Sequence, residues 1–481
     1  MDYPALSTWV DGEEQTSPIA DGGRLVDPNT GEALADSRSS SPDQLDRAIA
    51  AADTAHRDAR WRGLGPERRA ELLVALADWI DARAEEIAVL DALNSGVPIS
   101  VTRLFAGSNG DTLRGAAARA VAVGDSEVLP AEHGEVRLHR VPWGATALIL
   151  PWNAPSAMAV KKLAFALAAG ATTVMKPSSF SPWSAQLVVR GAHEVGIPAG
   201  VVNLVQGGGG LGRGLVADPR IAAIAMTGST PTGRAIAAEA APRFARLRLE
   251  LGSNNPAIVR QDADLELAAR SLTDGVLKLS GQWCEAPRRV LAPRALVADL
   301  VERLHAEFAT RRMGSSVDPG TEVGPVAFEA RRAELDGQLD RLSQQGARIV
   351  RAGTAPDLGG WFFDPAIAVV DGPGLDDEVF GPLLIVGGYD DETEALRLAN
   401  TGQVGLAGYV YGADVPAAAA LGTRLIAGEV KVNGSSVLDM APASAQSFFG
   451  DSGLGGHGDA DVLDFFVGKQ VVGTDPAGLP L

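Results

Sequence analysis

The sequence predicts an α/β protein built on parallel sheet that helices cover on both faces. Two observations carry this. From residue 145 short apolar runs of strand length alternate with stretches of helical periodicity, and the alternation resumes from 254 to 435. Hydrophobic residues make up 46% and charged residues 21% of 481, the balance of a globular chain whose length implies two or three domains.

Residues 1–40, rich in Gly, Pro, Asp and Ser, read as turns joining short strands. Ser41-Pro42-Asp43 then opens a helix, with a capping side chain and a proline in the first turn. Ala-rich helices continue to about residue 120, with Leu72, Leu73, Leu76 and Ile80 at helical spacing. Val136, Leu138 and Val141 alternate with Glu135, Arg137 and His139, which predicts a strand with one wet face. The runs 145–150, 171–175, 201–205 and 221–226 read as buried parallel strands, with helices over 157–169 and 184–195. Further strands are expected over 256–259, 289–292, 383–386 and 428–432, and 465–472 reads as an extended tail.

Lys and Arg total 42 against 60 for Asp and Glu, a net charge of −18, which argues against nucleic acid or an anionic membrane as partner. The longest apolar stretches are too short to span a bilayer, and Met1-Asp2-Tyr3-Pro4 has no secretory pattern. The single cysteine, Cys284, cannot form an internal disulfide, so the chain reads as reduced and cytoplasmic. The six histidines (His56, His133, His139, His193, His305 and His457) are scattered, and no metal site is expected.

Cys284, in Ser280-Gly281-Gln282-Trp283-Cys284-Glu285, is either a small buried apolar side chain or a reactive thiol. Thr227-Gly228-Ser229-Thr230-Pro231-Thr232-Gly233 follows a strand and opens a helix, with Thr230 as cap and Pro231 first in the helix. Free N–H groups there suit a pyrophosphate, although an ordinary strand-to-helix turn has the same pattern. The stretch 207–212 satisfies G-x-G-x-x-G, but no acidic residue closes the fingerprint, and it reads as a flexible turn. Glu250, between Leu249 and Leu251, is either an exposed strand residue or a carboxyl whose pKa burial raises, as suits a general base. Asn153 is either a turn residue or an amide placed for an oxyanion.

Pro151-Trp152-Asn153, Lys176-Pro177-Ser178, Gly228-Ser229-Thr230, Glu250-Leu251-Gly252, Gly281-Gln282-Trp283-Cys284 and Glu378-Val379-Phe380-Gly381-Pro382 follow one another in the chain. By these motifs the sequence resembles the aldehyde dehydrogenase superfamily across roughly residues 20–475. The resemblance implies an aldehyde dehydrogenase-like fold. A Rossmann-type NAD(P)-binding domain would comprise 1–120 and 143–251, an α/β catalytic domain 252–446, and a β-strand oligomerisation arm 121–142 with 447–481. Open strand edges need cover, so a homodimer or homotetramer is expected.

The resemblance further implies that Cys284 attacks a small-molecule aldehyde as a thiolate, while Asn153 and the Cys284 N–H hold the oxyanion. Hydride passes to the nicotinamide, and Glu250 activates the water that releases the acid. Trp152, Gly228 and Ser229 would lie by the pyrophosphate, and Lys176 and Ser179 at the adenosine ribose. Leu251 would line the same cofactor site, Glu378 would hold the nicotinamide ribose and Phe380 would pack near the ring. Ser179 stands where NAD-specific relatives often carry Glu; beside Lys176 it can tolerate a 2′-phosphate, so NADP is expected to be accepted and favoured over NAD.

Lys161 and Lys278 occupy positions that line the substrate tunnel in relatives, where the succinic-semialdehyde type carries arginines. Two converging ammonium groups suit an aldehyde with a distal anion; alternatively one points outward and the other meets an acid. Trp283 would narrow the tunnel mouth, and Glu285 would pair with Arg288 or Arg289. Ser253-Asn254 and the stretch 446–453 depart from the usual family pattern. Two other readings are an acylating enzyme that uses coenzyme A or works reductively, and a non-catalytic structural member. Glu250 favours hydrolysis over the first, and the joint presence of Cys284, Glu250 and Asn153 argues against the second. A Cys–Glu–Asn set without a nearby histidine also argues against a papain-like hydrolase.

Overall fold

The computed structural model describes residues 3–131, 134–372, 374–375, 377–402, 404–436, 440–441 and 444–474. His133 and residues 475–481 of the expected arm lie outside the described residues.

The first sheet has a parallel centre in the order Val202–Leu204, Thr172–Lys176, Ala145–Ile149, Ile221–Thr227, Arg246–Glu250. Antiparallel strands close its edges: Ser7–Val10 with Glu13–Thr16 at one, Gly453–Leu454 at the other. All five residues of Ala145–Ile149 are buried, because helices pack on both faces. Successive side chains feed different cores: Leu148 joins Leu163, Phe165 and Val188, whereas Ala147 and Ile149 join Ile49, Leu215 and Ile236. Helix Pro42–Arg57 begins at Ser41, whose hydroxyl accepts from the Gln44 N–H while the Gln44 side chain reaches back to the Ser41 N–H.

The second sheet runs Arg348–Arg351, Ala366–Val370, Leu383–Tyr389, Arg289–Pro293, Pro256–Val259, Ala407–Tyr411, Glu429–Val432, parallel except for its first strand. A third, antiparallel sheet places Val136–Pro142 between Ser126–Leu129 and Val467–Gly473.

Three local expectations are corrected. The glycine stretch 207–212 is not a flexible turn throughout: helix Gly209–Ala217 starts inside it, because Leu215 and Val216 bury against the first sheet. Helix Thr230–Ala240 is capped by Ser229, not Thr230; Ser229 has the extended backbone of a cap and accepts from the Thr232 N–H. Phe465 ends helix Asp459–Phe465, so the terminal strand begins only at Val467.

The two large sheets meet through backbone alone at one point. Helix Ala84–Ser95 ends at Gly96, with φ +72, and a methyl group there would stand 2.2 Å from the Pro325 carbonyl oxygen. That contact delivers the Ser95 carbonyl to the Gln282 amide at 2.9 Å, while the Ala327 N–H donates to Gln282 Oε1 at 2.9 Å. Gly96→Ala is therefore expected to cost about 3 kcal/mol through backbone strain and overpacking, read as a lowered midpoint in denaturant.

Candidate active site

The carboxyl ends of the parallel strands open on a cleft of about 910 Å³, where an open α/β sheet binds its ligand. Cys284, Glu250 and Asn153 all line it. The cysteine follows a tight turn, Lys278–Gly281, in which Leu279 and Ser280 adopt positive φ. This strained backbone is held by Ser280 Oγ, which donates to the Gly96 carbonyl at 3.1 Å and accepts from the Gly324 N–H at 2.9 Å. Asn255 Nδ2 donates to the Cys284 and Ala286 carbonyls at 2.8 and 2.9 Å. Buried Arg288 donates to the carbonyls of Gly281, Trp283 and Gly381.

The Cys284 thiol points at Glu250 Oε1, 3.9 Å away, and Thr227 Oγ1 donates to Glu250 Oε2 at 3.0 Å. Asn153 Nδ2 donates to the Gln282 carbonyl at 2.8 Å, two residues before the cysteine. An amide nitrogen carries two protons, so the second is left for an oxyanion in the cleft.

The electrostatics correct one expectation. Burial does push the Glu250 carboxyl up, but His457, Lys162, Arg248 and Lys161 together outweigh it and hold the pKa at about 2. Glu250 is thus ionised at rest. Burial pushes the Cys284 thiol well up, and the carboxylates of Glu250, Glu285 and Glu378 add to that shift. The resting nucleophile is a neutral thiol whose nearest proton acceptor is Glu250.

Trp152, Lys176, Ser179, Gly228, Ser229, Leu251, Glu378 and Phe380 line the same cleft. Lys176 Nζ donates to the Pro177 and Gly207 carbonyls, both at 2.9 Å, and burial lowers its pKa to about 8. One of its three protons remains available. Glu378 accepts from the Ser253 N–H at 3.1 Å. Two helices, Gly209–Ala217 and Thr230–Ala240, start at the cleft wall, where N–H groups and the dipole favour a pyrophosphate. This donor set fits a dinucleotide: an ammonium and free N–H groups at one end, a buried carboxylate for a ribose near the thiol at the other.

Lys161, Lys278 and Trp283 do not line this cleft. Lys161 acts on Glu250. Lys278 borders a separate cavity of about 280 Å³ and donates to the Ser435 carbonyl at 2.7 Å. Its ammonium and that of Lys431 stand 5.0 and 5.9 Å from the Trp283 ring, so its cationic neighbour there is Lys431.

Glu285 does not pair with Arg288 or Arg289. Its carboxylate faces His457, because Arg288 is taken by carbonyls and the Arg289 guanidinium by those of Asn254, Leu398 and Ala399. Nor is the site without a histidine: His457 Nε2 lies 3.4 Å from Glu250 Oε1. The sequence reading also passed over Lys162, Arg248 and Arg331. A lysine inside the apolar stretch of helix Pro155–Ala168 was a signal for Lys162; only Gly455, Gly456 and Gly458 around it marked His457. Arg331 lines the cleft, with its guanidinium 5.6 Å from the Phe380 ring and 5.9 Å from that of Trp152.

Neutralising Glu250 removes a charge that raises the thiol pKa. Glu250→Gln is therefore expected to speed alkylation of Cys284 by iodoacetamide at pH 8 several-fold, read by mass spectrometry against time.

The sequence profile described as "Aldehyde dehydrogenase family" matches residues 12–472. The chain is 34% identical over 490 residues to betaine aldehyde dehydrogenase of Cereibacter sphaeroides strain KD131, covering 99% of each protein. It is 31% identical to succinate-semialdehyde dehydrogenase of Paenarthrobacter nicotinovorans, over 86% of this chain and 94% of that protein. The crystal structure of PnpE from Pseudomonas sp. WBC-3 superposes with a TM-score of 0.92 at 31% identity, covering 99% of both chains. A structure of PnpE in complex with nicotinamide adenine dinucleotide superposes with a TM-score of 0.93 at 30% identity, again over 99% of both. With the profile matched over nearly its whole length, and a thiol, a carboxylate and an amide gathered in one cleft, this chain belongs to the aldehyde dehydrogenase family, the oxidoreductases that convert aldehydes to acids.

Proposed function

We propose that the chain oxidises an aldehyde carrying an anionic group at its far end, by a hydrolytic cycle on Cys284, and that it favours NADP over NAD. The observation that carries the cycle is the Cys284 thiol at 3.9 Å from the Glu250 carboxylate in a cleft that Asn153 also lines.

Cys284 gives its proton toward Glu250 as sulfur adds to the aldehyde carbon. The oxygen that becomes negative is met by the second Asn153 N–H and the Cys284 backbone N–H. Trp152, Lys176, Ser179, Gly228, Ser229, Leu251, Glu378 and Phe380 would hold the dinucleotide, with Glu378 on the nicotinamide ribose. When bound, the nicotinamide supplies the hydride acceptor that turns the sulfur adduct into a thioester. Glu250 then takes a proton from water as its oxygen attacks the thioester carbon; the acid leaves and the thiol is restored. Asn153→Ala is expected to lower kcat about 10²–10³-fold, and Cys284→Ala to abolish NAD(P)H formation.

Lys278 supports the anionic substrate. Burial and the Lys431 charge lower its pKa to about 8, with Asp274 only partly offsetting them, so an anion there relieves both costs. A relative bearing the name succinate-semialdehyde dehydrogenase is in line with this. The test compares succinic semialdehyde, a neutral aldehyde of equal length and betaine aldehyde in wild type, Lys161→Leu and Lys278→Leu. Loss of preference for the anion in the variants is expected; an unchanged ratio overturns the reading. Added coenzyme A should leave a free acid as product, against the acylating alternative.

Ser179 and Arg213 line the cleft near Lys176, which suits a 2′-phosphate. The ratio of kcat/KM with NADP to that with NAD is expected to exceed one; a preference for NAD beyond about tenfold, roughly 1.4 kcal/mol, rejects it.

The third sheet supports an oligomerisation arm, with 1–120 and 143–251 as cofactor domain and 252–446 as catalytic domain. Its outer strands each keep one open edge, and Val128, Val471 and Val472 are 57%, 61% and 52% exposed. Self-association covers them in a homodimer or homotetramer, which sedimentation would read. A cytoplasmic location follows from the lone reduced thiol; among the described residues no helix is long and apolar enough to cross a membrane.

A further inference from the structure

We propose that His457 is a positioning residue for Glu250: with Glu285 it forms a carboxylate–imidazole–carboxylate relay that removes the proton Glu250 collects from the hydrolytic water. The proposal rests on the reading of Glu250 as the base in thioester hydrolysis.

His457 Nε2 stands 3.4 Å from Glu250 Oε1 and 3.5 Å from Glu285 Oε1, and the three side chains are only 9%, 5% and 9% exposed. One ring nitrogen between two carboxylate oxygens is tolerated only if the trio carries a proton on or beside that nitrogen. A bare lone pair facing two anions is repulsive. The trio therefore shares a proton among three basic sites, on the side of Glu250 away from Thr227.

The imidazole is held firmly enough to do this. Its ring meets the edge of Phe448 at 4.9 Å and 87°. The residue before it, Gly456, lies so close to the next strand that a methyl group would stand 1.9 Å from the Gln446 carbonyl oxygen. Arg248 clamps the Gly456 carbonyl with two hydrogen bonds of 2.7 and 3.1 Å.

Several other charged or titratable groups surround the trio. Arg248 shares the strand of Glu250, and Lys161 and Lys162 come from helix Pro155–Ala168. Cys284 precedes Glu285, Asp459 and Asp461 lie on the following helix, and Glu429 faces Gln446. The cations leave Glu250 a reluctant holder of a proton. In the relay, imidazolium gives its Nε2 proton to Glu285 and takes the Glu250 carboxyl proton in its place. One proton moves from Glu250 to Glu285, and Glu250 returns to the carboxylate needed for the next turnover.

His457→Gln, His457→Asn and Glu285→Gln test this, with thermal unfolding as the control for folding. Rapid mixing with aldehyde and NAD(P) should give a burst of NAD(P)H of wild-type amplitude in each. The steady rate after the burst should fall on the order of 10²-fold, and its pH profile should lose one ionisation. A steady rate and pH profile equal to wild type in folded His457 variants overturn the proposal. Iodoacetamide labelling of Cys284 separates this failure from failure of the underlying reading. Loss of the imidazolium should slow labelling of His457→Gln, with rates converging on wild type at alkaline pH, whether or not any aldehyde is oxidised. Identical labelling at every pH also overturns it.

Discussion

Between Lys278 and Arg288 the chain crosses the interior with little regular structure, and each buried carbonyl on the way needs a donor. Arg288 serves Gly281 and Trp283, Asn255 serves Cys284 and Ala286, Asn153 serves Gln282, and the Tyr409 hydroxyl serves Glu285. Burial lowers the Arg288 pKa only to about 10, so it remains a cation at neutral pH. Each orphaned carbonyl would cost about 1–3 kcal/mol. The position of the sulfur is therefore a consequence of these bonds, and because Asn153 extends from the first sheet while Asn255 and Arg288 flank strands of the second, it also registers one sheet against the other.

The same packing sets the charges. A carboxylate and a thiol buried side by side would ordinarily both become neutral. Here Lys162, Arg248, Lys161 and His457 converge on Glu250 and keep it ionised, while the anion beside it keeps Cys284 protonated. The thiolate is scarce at rest and forms as sulfur closes on a carbonyl, with its proton acceptor already in place. Such an arrangement limits idle reactivity of the thiol, since thiolate rather than thiol is the nucleophile.

Much of this was legible in the chain. Ser41, Pro42 and Gln44 spell out their helix start, and the apolar runs ending at Ile149, Lys176 and Thr227 mark the strands that open on the cleft. Cys284, Glu250 and Asn153 were recognisable from short motifs, and all three line that cleft. Where the reading slipped, a distant contact had outweighed a local preference. Four glycines suggested a flexible turn, yet Leu215 and Val216 draw that segment into a helix. Burial of Glu250 suggested a raised pKa, yet its cations come from a helix, its own strand and a hairpin more than 200 residues away.

The sequence by itself determined the α/β architecture, the helix caps to within a residue, and the identity of the reacting groups, because periodicity, capping and motif chemistry are written within a few neighbouring residues. Only the tertiary structure decided the protonation of those groups, the partners of Glu285 and Lys278, and the presence of His457 beside the base. Electrostatic energy depends on separation in space and on burial, and neither can be read from separation along the chain.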